Sequence, residues 1–290
     1  MVKRAILILL ALSAFDPASQ AAETLYVATG SKGAAGVLYT VNPNTAAFTQ
    51  VAPILVGGSP IGMTGLAFNP LNGVLYGVTG LESPNFVRNL VTINPATGAA
   101  TVVGVILDPD FGSSLGLTDL SFRSDGTLFG ISPSEMYTIN LSNAALTTIG
   151  PTGENVPGGG LAFSPSGALF SAGKATGTLD TLNTSTGART VGPTLTNSPH
   201  AGDLGAMTAL AFNSAGTLFG SDSDRAQNGA TTVAVDLVTI NTATGVVTNV
   251  GVLPNDIDAI AFSPVPEPSS LALVAIGAGI VGYLRHRRRH

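Results

Sequence analysis

Short apolar segments recur along the chain in a fixed order, and turn-forming residues separate them. Within residues 161–192, four such segments follow one another at 161–163, 168–170, 179–183 and 188–192. Each of these four classes of segment occurs five times in the chain. Because self-similarity at a regular interval is the signature of a repeat architecture, the pattern predicts five units of four short strands.

The five copies align by strand class. The first class, typified by Leu-Ala-Phe, lies at 66–68, 120–122, 161–163, 210–212 and 260–262. The second, with a central aromatic residue, lies at 25–27, 75–77, 128–130, 169–171 and 218–220. The third, which ends in Asn, lies at 38–42, 90–94, 136–140, 179–183 and 237–241. The fourth lies at 48–52, 101–104, 146–150, 189–192 and 247–251.

Gly, Asn, Asp, Pro and Ser fill the short connections between the first and second classes and between the third and fourth classes. These residues favour the tight turns of β-hairpins. Four-stranded units repeated around an axis form a β-propeller, so we predict an all-β fold with five four-stranded blades. A stacked solenoid of similar repeats is the alternative, and it needs no ring closure.

A device for closing the ring is visible at the two ends of the repeat region. The region starts on a second-class strand, residues 25–28, and ends on a first-class strand, residues 259–263. We therefore predict that the last strand pairs beside the first and completes blade 1, which removes an exposed edge. The same strand alternation predicts that the repeated Phe and Tyr side chains pack between blades rather than around a ligand.

The connections between strands divide into two faces. Short turns lie on one face, here called the turn face. Long connections, such as 105–116, 193–207 and 221–236, share the opposite loop face. Long loops on a rigid scaffold commonly carry function. Twelve of the 15 acidic residues between 23 and 264 fall on or next to the loop face, although loops are also where charge is simply solvated.

Composition supports this fold and narrows the function. The chain is 10% charged and 44% hydrophobic and has 36 Gly, which suits strands and tight turns better than amphipathic helices. The absence of Cys excludes disulfides and thiolate metal sites. Residues 23–264 contain six Lys and Arg residues and 15 Asp and Glu residues, which gives a net charge of −9. Nucleic-acid binding needs a basic face and is not expected.

Residues 1–22 have the layout of a secretory signal peptide. Lys3 and Arg4 precede an apolar stretch at 5–15, and small residues follow at 19–21. This order predicts an N-terminal signal helix that is removed after export; a buried N-terminal helix is the alternative.

The C-terminal end contains a second apolar segment, residues 271–284. Its 14 residues fall short of the roughly 20 that span a membrane comfortably, so a buried core helix is the alternative. A basic cluster follows at once, consisting of Arg285, Arg287, Arg288 and Arg289. Because basic residues remain on the cytoplasmic side, we predict a transmembrane helix with the C-terminus inside and the repeat domain outside.

A short motif precedes this helix, consisting of Val265, Pro266, Glu267, Pro268 and Ser269. Together with the helix and the Arg cluster, it resembles the PEP-CTERM sorting signal over about 26 residues. The two prolines keep the segment extended and accessible to an enzyme. The resemblance implies export by the secretion machinery, membrane anchoring through the helix, and cleavage by an exosortase near residues 266–268. It also implies a link to exopolysaccharide and a final location at the cell surface or in the extracellular matrix.

The chain is therefore divided into a signal peptide at 1–22, a propeller at 23–264 and a sorting tail at 265–290. Close-set carboxylates on the loop face are candidate Ca²⁺ ligands, since Ca²⁺ prefers clustered oxygens, but none has EF-hand spacing. These residues are Asp108 with Asp110, Asp222 with Asp224, and Asp256 with Asp258. Clustered like charge on this face predicts a preference for cations or cation-bridged polymers.

Asp119 and Asp258 each lie just before a first-class strand, which is innermost in a propeller, so both are expected near the mouth of the axial channel. Two carboxylates of this kind can serve a glycosidase. Chemistry of other classes is not indicated: His200 is the one His between residues 23 and 264, and no GxSxG motif is present.

Two functions follow. The favoured one is a non-catalytic surface propeller that binds a polysaccharide or protein partner. The alternative is an exported hydrolase or lyase acting on an extracellular polymer.

Overall fold

The computed structural model describes residues 23–30, 33–153, 159–173, 177–199, 206–224 and 233–264. The predicted signal helix at 1–22 and the sorting tail at 265–290, with its predicted transmembrane helix at 271–284, lie outside these ranges. The basic loop residues Lys32, Lys174 and Arg225 and the one domain histidine, His200, lie outside them as well.

The described residues form 22 strands. Those of blades 1 and 2 are β1 (Leu25–Thr29), β2 (Val37–Val41), β3 (Phe48–Pro53), β4 (Leu55–Val56), β5 (Ser59–Pro60), β6 (Met63–Phe68), β7 (Leu75–Thr79), β8 (Asn89–Ile93) and β9 (Ala99–Val105). Those of blade 3 are β10 (Asp119–Phe122), β11 (Leu128–Ile131), β12 (Glu135–Ile139) and β13 (Leu146–Pro151). Those of blade 4 are β14 (Gly159–Phe163), β15 (Leu169–Gly173), β16 (Asp180–Leu182) and β17 (Arg189–Thr190). The rest are β18 (Ala206–Phe212), β19 (Leu218–Ser223), β20 (Val235–Ile240), β21 (Val247–Val252) and β22 (Ile257–Phe262).

These strands form five sheets, and the predicted five-bladed propeller is confirmed. The strand order from the axis outwards is β22-β1-β2-β3 in blade 1, β10-β11-β12-β13 in blade 3, β14-β15-β16-β17 in blade 4 and β18-β19-β20-β21 in blade 5. Blade 2 has six strands in the order β6-β7-β8-β9-β4-β5. The two additional strands were not predicted. They form a small hairpin in the connection from blade 1, and β4 pairs in parallel with β9.

The turns between the third and fourth strands follow one plan in every blade. The Asn that ends the third class accepts a hydrogen bond on its side-chain oxygen from the backbone N–H two residues later, an Asx turn. These contacts involve Asn42, Asn94, Asn140, Asn183 and Asn241, each at 2.9 or 3.0 Å. The turn then requires a residue with positive φ, which is Gly in three blades and Ala46 and Ala144 in the other two. A repeated Asn therefore fixes a repeated hairpin.

The last strand pairs beside the first and closes the ring, as predicted. In the pairing of β22 with β1, Leu25 lies opposite Phe262 and Ala28 lies opposite Ala259. Beyond the ladder, the Ser263 N–H donates to the Thr24 carbonyl at 2.9 Å, and the Thr24 N–H donates to the Ser263 hydroxyl at 2.9 Å. The start and the end of the ring thus meet in blade 1 on the turn face.

Aromatic side chains pack between neighbouring blades all the way round the ring, as predicted. The second-class aromatic residue of each blade contacts the first-class Phe of the next, with ring centroids 5.1–5.5 Å apart. The pairs are Tyr26–Phe68, Tyr76–Phe122, Phe129–Phe163, Phe170–Phe212 and Phe219–Phe262. Aromatic pairs in tilted and edge-on arrangements stabilise the interface between blades beyond the burial of apolar area alone. The fifth pair joins blade 5 to blade 1 and so depends on β22.

A candidate pocket at the mouth of the propeller axis

The five innermost strands lie close together around the axis. In four of these strands, the residue just before the Leu or Ile of the first-class segment is Gly or Ala, which leaves room for this approach. At this level the five strands carry Gly65, Asp119, Gly160, Ala209 and Ala259. A Cβ atom at Gly65 would lie 2.9 Å from the Cα of Asp119, and one at Gly160 would lie 2.6 Å from the backbone N of Leu210. Asp119 therefore occupies space that the small residues leave.

Asp119 is completely buried and accepts three backbone hydrogen bonds. Its Oδ1 accepts the Leu120 N–H at 2.8 Å, and its Oδ2 accepts the Leu161 N–H at 2.8 Å and the Leu210 N–H at 3.3 Å. These N–H groups lie on the innermost strands of blades 3, 4 and 5. An innermost strand has no further strand to pair with, so its buried N–H groups need other acceptors. One carboxylate supplies them for three blades.

The pKa of the Asp119 carboxyl lies well above its usual range. Burial is the largest cause and raises the pKa, whereas the three backbone N–H donors lower it by a smaller amount. The nearby Asp258 carboxylate raises the pKa further by like-charge repulsion. The two carboxyls predicted to lie together are thus within electrostatic range. Only Asp258 reaches the pocket described next, because Asp119 is enclosed by backbone.

A pocket of about 490 Å³ opens on the loop face at the end of the axis. Most of its lining comes from the starts of the innermost strands, the turn after β7 and the segment that leads into β10, and Gly30, Arg88 and Pro133 complete it. Its lining residues are Gly30, Thr64, Gly80, Leu81, Glu82, Arg88, Leu115, Gly116, Leu117, Thr118, Pro133, Thr208 and Asp258. The pocket therefore combines polar groups at the axis with apolar walls from the loops.

The polar groups at the axis come from one position of the repeat, two residues before the first-class Leu or Ile. This position carries Thr64, Thr118, Gly159, Thr208 and Asp258 in the five blades. The sequence pattern indicated only Asp258 among them. Aligning the five copies column by column would have shown the three threonines, but not that the turn at 80–82 and the segment at 115–117 converge on them.

A small hairpin lies at the rim of this pocket. Leu107 pairs with Ser114, and the Asp108 Oδ1 accepts the N–H groups of Asp110 and Phe111 at 2.9 and 3.2 Å. The Arg88 guanidinium, which lines the pocket, donates to the Ser114 carbonyl and, at 2.9 Å, to its hydroxyl. The hairpin holds Phe111 in solvent with 83% of its surface exposed. One oxygen of Asp108 therefore stabilises a turn.

The other two acidic pairs also have structural contacts. Asp222 is buried in β19 and accepts a hydrogen bond from the Ser198 hydroxyl, whereas Asp224 is half-buried beyond the strand end. Asp256 has a positive φ of 64°, and its Oδ1 accepts the Val233 N–H at 2.6 Å. Across the described ranges, no three His, Cys, Asp or Glu side chains come together in a group that could hold a metal ion.

The described part of the chain contains no helix that is both long enough and apolar enough to cross a membrane.

Two family models match the sequence. The first, "Repeat of unknown function (DUF6923)", matches residues 26–216, and the second, the PEP-CTERM protein-sorting motif, matches residues 264–289. The predicted sorting signal is thereby confirmed, and it marks an exported protein. No curated protein matches the chain.

Three solved structures are similar to this chain at low sequence identity. A chain from the crystal structure of a nidogen/laminin complex is 14% identical; the match covers 83% of this chain and 98% of that one, with a TM-score of 0.52. A chain from work on the de novo evolutionary emergence of a symmetrical protein is 18% identical, covering 84% and 100%, with a TM-score of 0.46. A structural genomics protein of unknown function from Bacteroides thetaiotaomicron is 14% identical, covering 68% and 53%, with a TM-score of 0.46. At this identity the nidogen/laminin likeness shows the fold alone.

Proposed function

The chain belongs to the family described as a repeat of unknown function (DUF6923), and we propose that it is an exported, non-catalytic binding propeller of the cell surface. Its ligand is a polysaccharide of the extracellular matrix, and an exosortase processes its tail. The observation that carries this proposal is the place of the sorting motif, which begins at residue 264 directly after the ring-closing strand ends at Phe262.

The geometry of the ring supports a binding role for the loop face. Strand β22 runs from the loop face to the turn face, so its end and Ser263 lie on the turn face next to Thr24. The pocket opens at the other end of the same strands, where Gly30 and Asp258 lie. A tether attached at residue 264 would therefore be joined to the ring on the face opposite the pocket.

The competing function is an exported hydrolase or lyase. Hydrolysis of a glycosidic bond uses two carboxyl groups that flank the bond. Asp119 does not fit this role, because it is buried and three backbone N–H groups occupy its oxygens. Of the acidic side chains that line the pocket, Asp258 lies at the axis and Glu82 lies on an exposed turn. This arrangement favours binding over hydrolysis.

Cosedimentation with exopolysaccharide from a host that encodes an exosortase tests the function. We expect the protein to cosediment with the polymer, and we expect no release of reducing ends during prolonged incubation. A polymer that is shortened in the presence of the wild-type protein, but not in the presence of Asp258→Asn, would establish the hydrolase instead.

Sorting is tested by replacing Arg285 and Arg287–Arg289 with Ala in the full chain. Because these charges hold the C-terminus on the cytoplasmic side, we expect the variant to lose membrane retention and tail cleavage. Cell fractionation combined with the mass of the released protein measures both. Lys at the same positions keeps the charge and should restore normal processing. If the Ala variant is retained and cleaved like the wild type, the Arg cluster has no sorting role.

A further inference from the structure

The pocket at the axis has a composition that points to a ligand class. We propose that it binds a single neutral sugar residue of the polymer, with the hydroxyl edge of the sugar towards the axis and its C–H face against the apolar walls. This inference deepens the proposed function and depends on it.

The groups at the axis mainly accept hydrogen bonds. The Thr64 hydroxyl donates its hydrogen to the Leu117 carbonyl at 3.0 Å, and the Thr118 hydroxyl donates to the Ile131 carbonyl at 3.2 Å. Their oxygens keep lone pairs but have no further hydrogen to give. The Asp258 carboxylate, when ionised, also only accepts. A ligand that fits this end of the pocket therefore presents several donors, as the adjacent hydroxyls of a sugar do.

The side walls of the pocket are apolar, whereas its end at the propeller axis is polar. Leu81, Leu115, Leu117 and Pro133 line the pocket on the loop side. A pyranose ring has the same division, with hydroxyls around its edge and C–H groups on its faces. The volume of about 490 Å³ lies within the range of roughly 300–1,000 Å³ that is typical of small-molecule sites. It accommodates one sugar residue with space for the linkage to the next.

The rim provides a surface for the neighbouring residue of a polymer. Phe111 stands exposed on the hairpin that Arg88 ties to the pocket through Ser114. Because the Phe111 side chain is exposed, it does not contribute to the core. Its aromatic face is available to pack against the C–H groups of a sugar. The geometry thus suits a polymer that places one residue in the pocket and passes over the rim.

Two other ligand classes fit less well. An anion would meet the Asp258 carboxylate and the lone pairs of the threonines at the axis, and Arg88 is the one cationic side chain among the described lining residues. The described residues provide no group of three metal-ligating side chains for a bound cation. A protonated amine satisfies the donor requirement at the axis but makes no use of the apolar walls.

Gly116 offers a way to block the pocket without disturbing the ring. A Cβ added there meets only the Arg88 Nε, at 3.7 Å, which is an ordinary contact. Gly116→Leu therefore fills the pocket from its wall. Ala215→Leu adds the same side chain at an exposed position of the turn between β18 and β19, on the turn face away from the pocket, and is the matched control.

The experiment uses the full chain in a detergent that lacks a sugar headgroup. Saturation-transfer NMR and calorimetry are run with glucose, galactose, mannose and N-acetylglucosamine and with short oligomers of each. We expect at least one of these sugars to bind, Gly116→Leu to weaken its binding at least tenfold, and Ala215→Leu to leave it unchanged. Asp258→Asn is expected to weaken binding about tenfold, since a charge-assisted hydrogen bond is replaced by a neutral one.

The outcomes separate this inference from the proposed function. If exopolysaccharide cosediments equally with wild type and Gly116→Leu, the polymer binds elsewhere; the inference is wrong and the binding function stands. If wild type binds neither the polymer nor any sugar of the panel, both are wrong. Binding restricted to amines, such as putrescine, and abolished by salt would overturn the sugar assignment. If circular dichroism shows that Gly116→Leu is misfolded, unchanged sugar binding by Asp258→Asn would overturn it as well.

Discussion

Asp119→Ala is expected to destabilise the propeller by at least about 3 kcal/mol, because three buried N–H groups lose their acceptor at roughly 1–3 kcal/mol each. For a domain of this size the melting temperature should fall by roughly 6–12 °C. Alanine is sterically acceptable at this position, since Ala209 and Ala259 occupy the equivalent position in two other blades. The loss therefore reflects the missing carboxylate and not a clash.

Thermal melts of the full chain measure this effect, with Asp110→Ala as the control. Asp110 is exposed, and its side chain accepts no hydrogen bond from the described part of the chain, so its removal should leave the melting temperature nearly unchanged. Asp119→Asn retains one accepting oxygen and should fall between the wild type and the alanine variant. If Asp119→Ala melts with the wild type, the axial carboxylate does not hold the blades together.

The raised pKa of Asp119 also predicts how the difference in stability between wild type and Asp119→Ala depends on pH. Since the folded state holds this proton more tightly than the unfolded chain, whose Asp pKa is about 3.9, the proton stabilises the fold. That contribution is complete below the unfolded pKa and is lost as the pH rises through the folded pKa. The difference in unfolding free energy between wild type and Asp119→Ala should therefore be larger at about pH 5 than at about pH 8. A difference that grows with pH would contradict a raised pKa for the Asp119 carboxyl.

Removal of the ring-closing strand is expected to abolish cooperative folding. A chain that stops at residue 256 loses Ile257 and Ile260, both completely buried, and it loses Phe262, the partner of Phe219. Each buried large side chain contributes roughly 2–5 kcal/mol, so the loss approaches the whole stability of a domain, about 5–15 kcal/mol. The truncated chain also exposes β1 as an unpaired edge.

The matched control is a chain that stops at residue 264 and keeps β22. It removes only the tail, so we expect it to melt cooperatively at the temperature of the full chain. Circular dichroism and scanning calorimetry compare the two truncations. A cooperative transition of the shorter chain at the same temperature would show that the ring does not depend on closure by β22.

The blades and their closure could be predicted because each depends on local patterns that repeat. Asn at the end of every third strand fixes a hairpin through its own side chain, and the position of residues 259–263 in the repeat determines their pairing partner. The hairpin of β4 and β5 could not be predicted. Its strands have two residues each, and it depends on the free edge of β9, which only the assembled blade provides.

The state of Asp119 and the shape of the pocket could not be predicted for a related reason. The sequence predicted that Asp119 and Asp258 both lie near the axis, and in the structure the Asp258 carboxylate contributes to the raised pKa of Asp119. It did not show that Asp119 is enclosed, because that follows from small residues in four other blades that are distant in sequence. Likewise, the lining from 80–82 and 115–117 results from loops of different blades that meet only in the folded ring.

The position of β22 also determines when during synthesis the domain is complete. Chains are made and exported from the N-terminus, so β1 waits for its inner partner until residue 262 has appeared. The sorting motif begins two residues later, at 264. A chain interrupted anywhere before residue 257 therefore has neither a closed ring nor a signal for processing. Only chains that extend past residue 264 can therefore contain both the closed ring and the sorting motif.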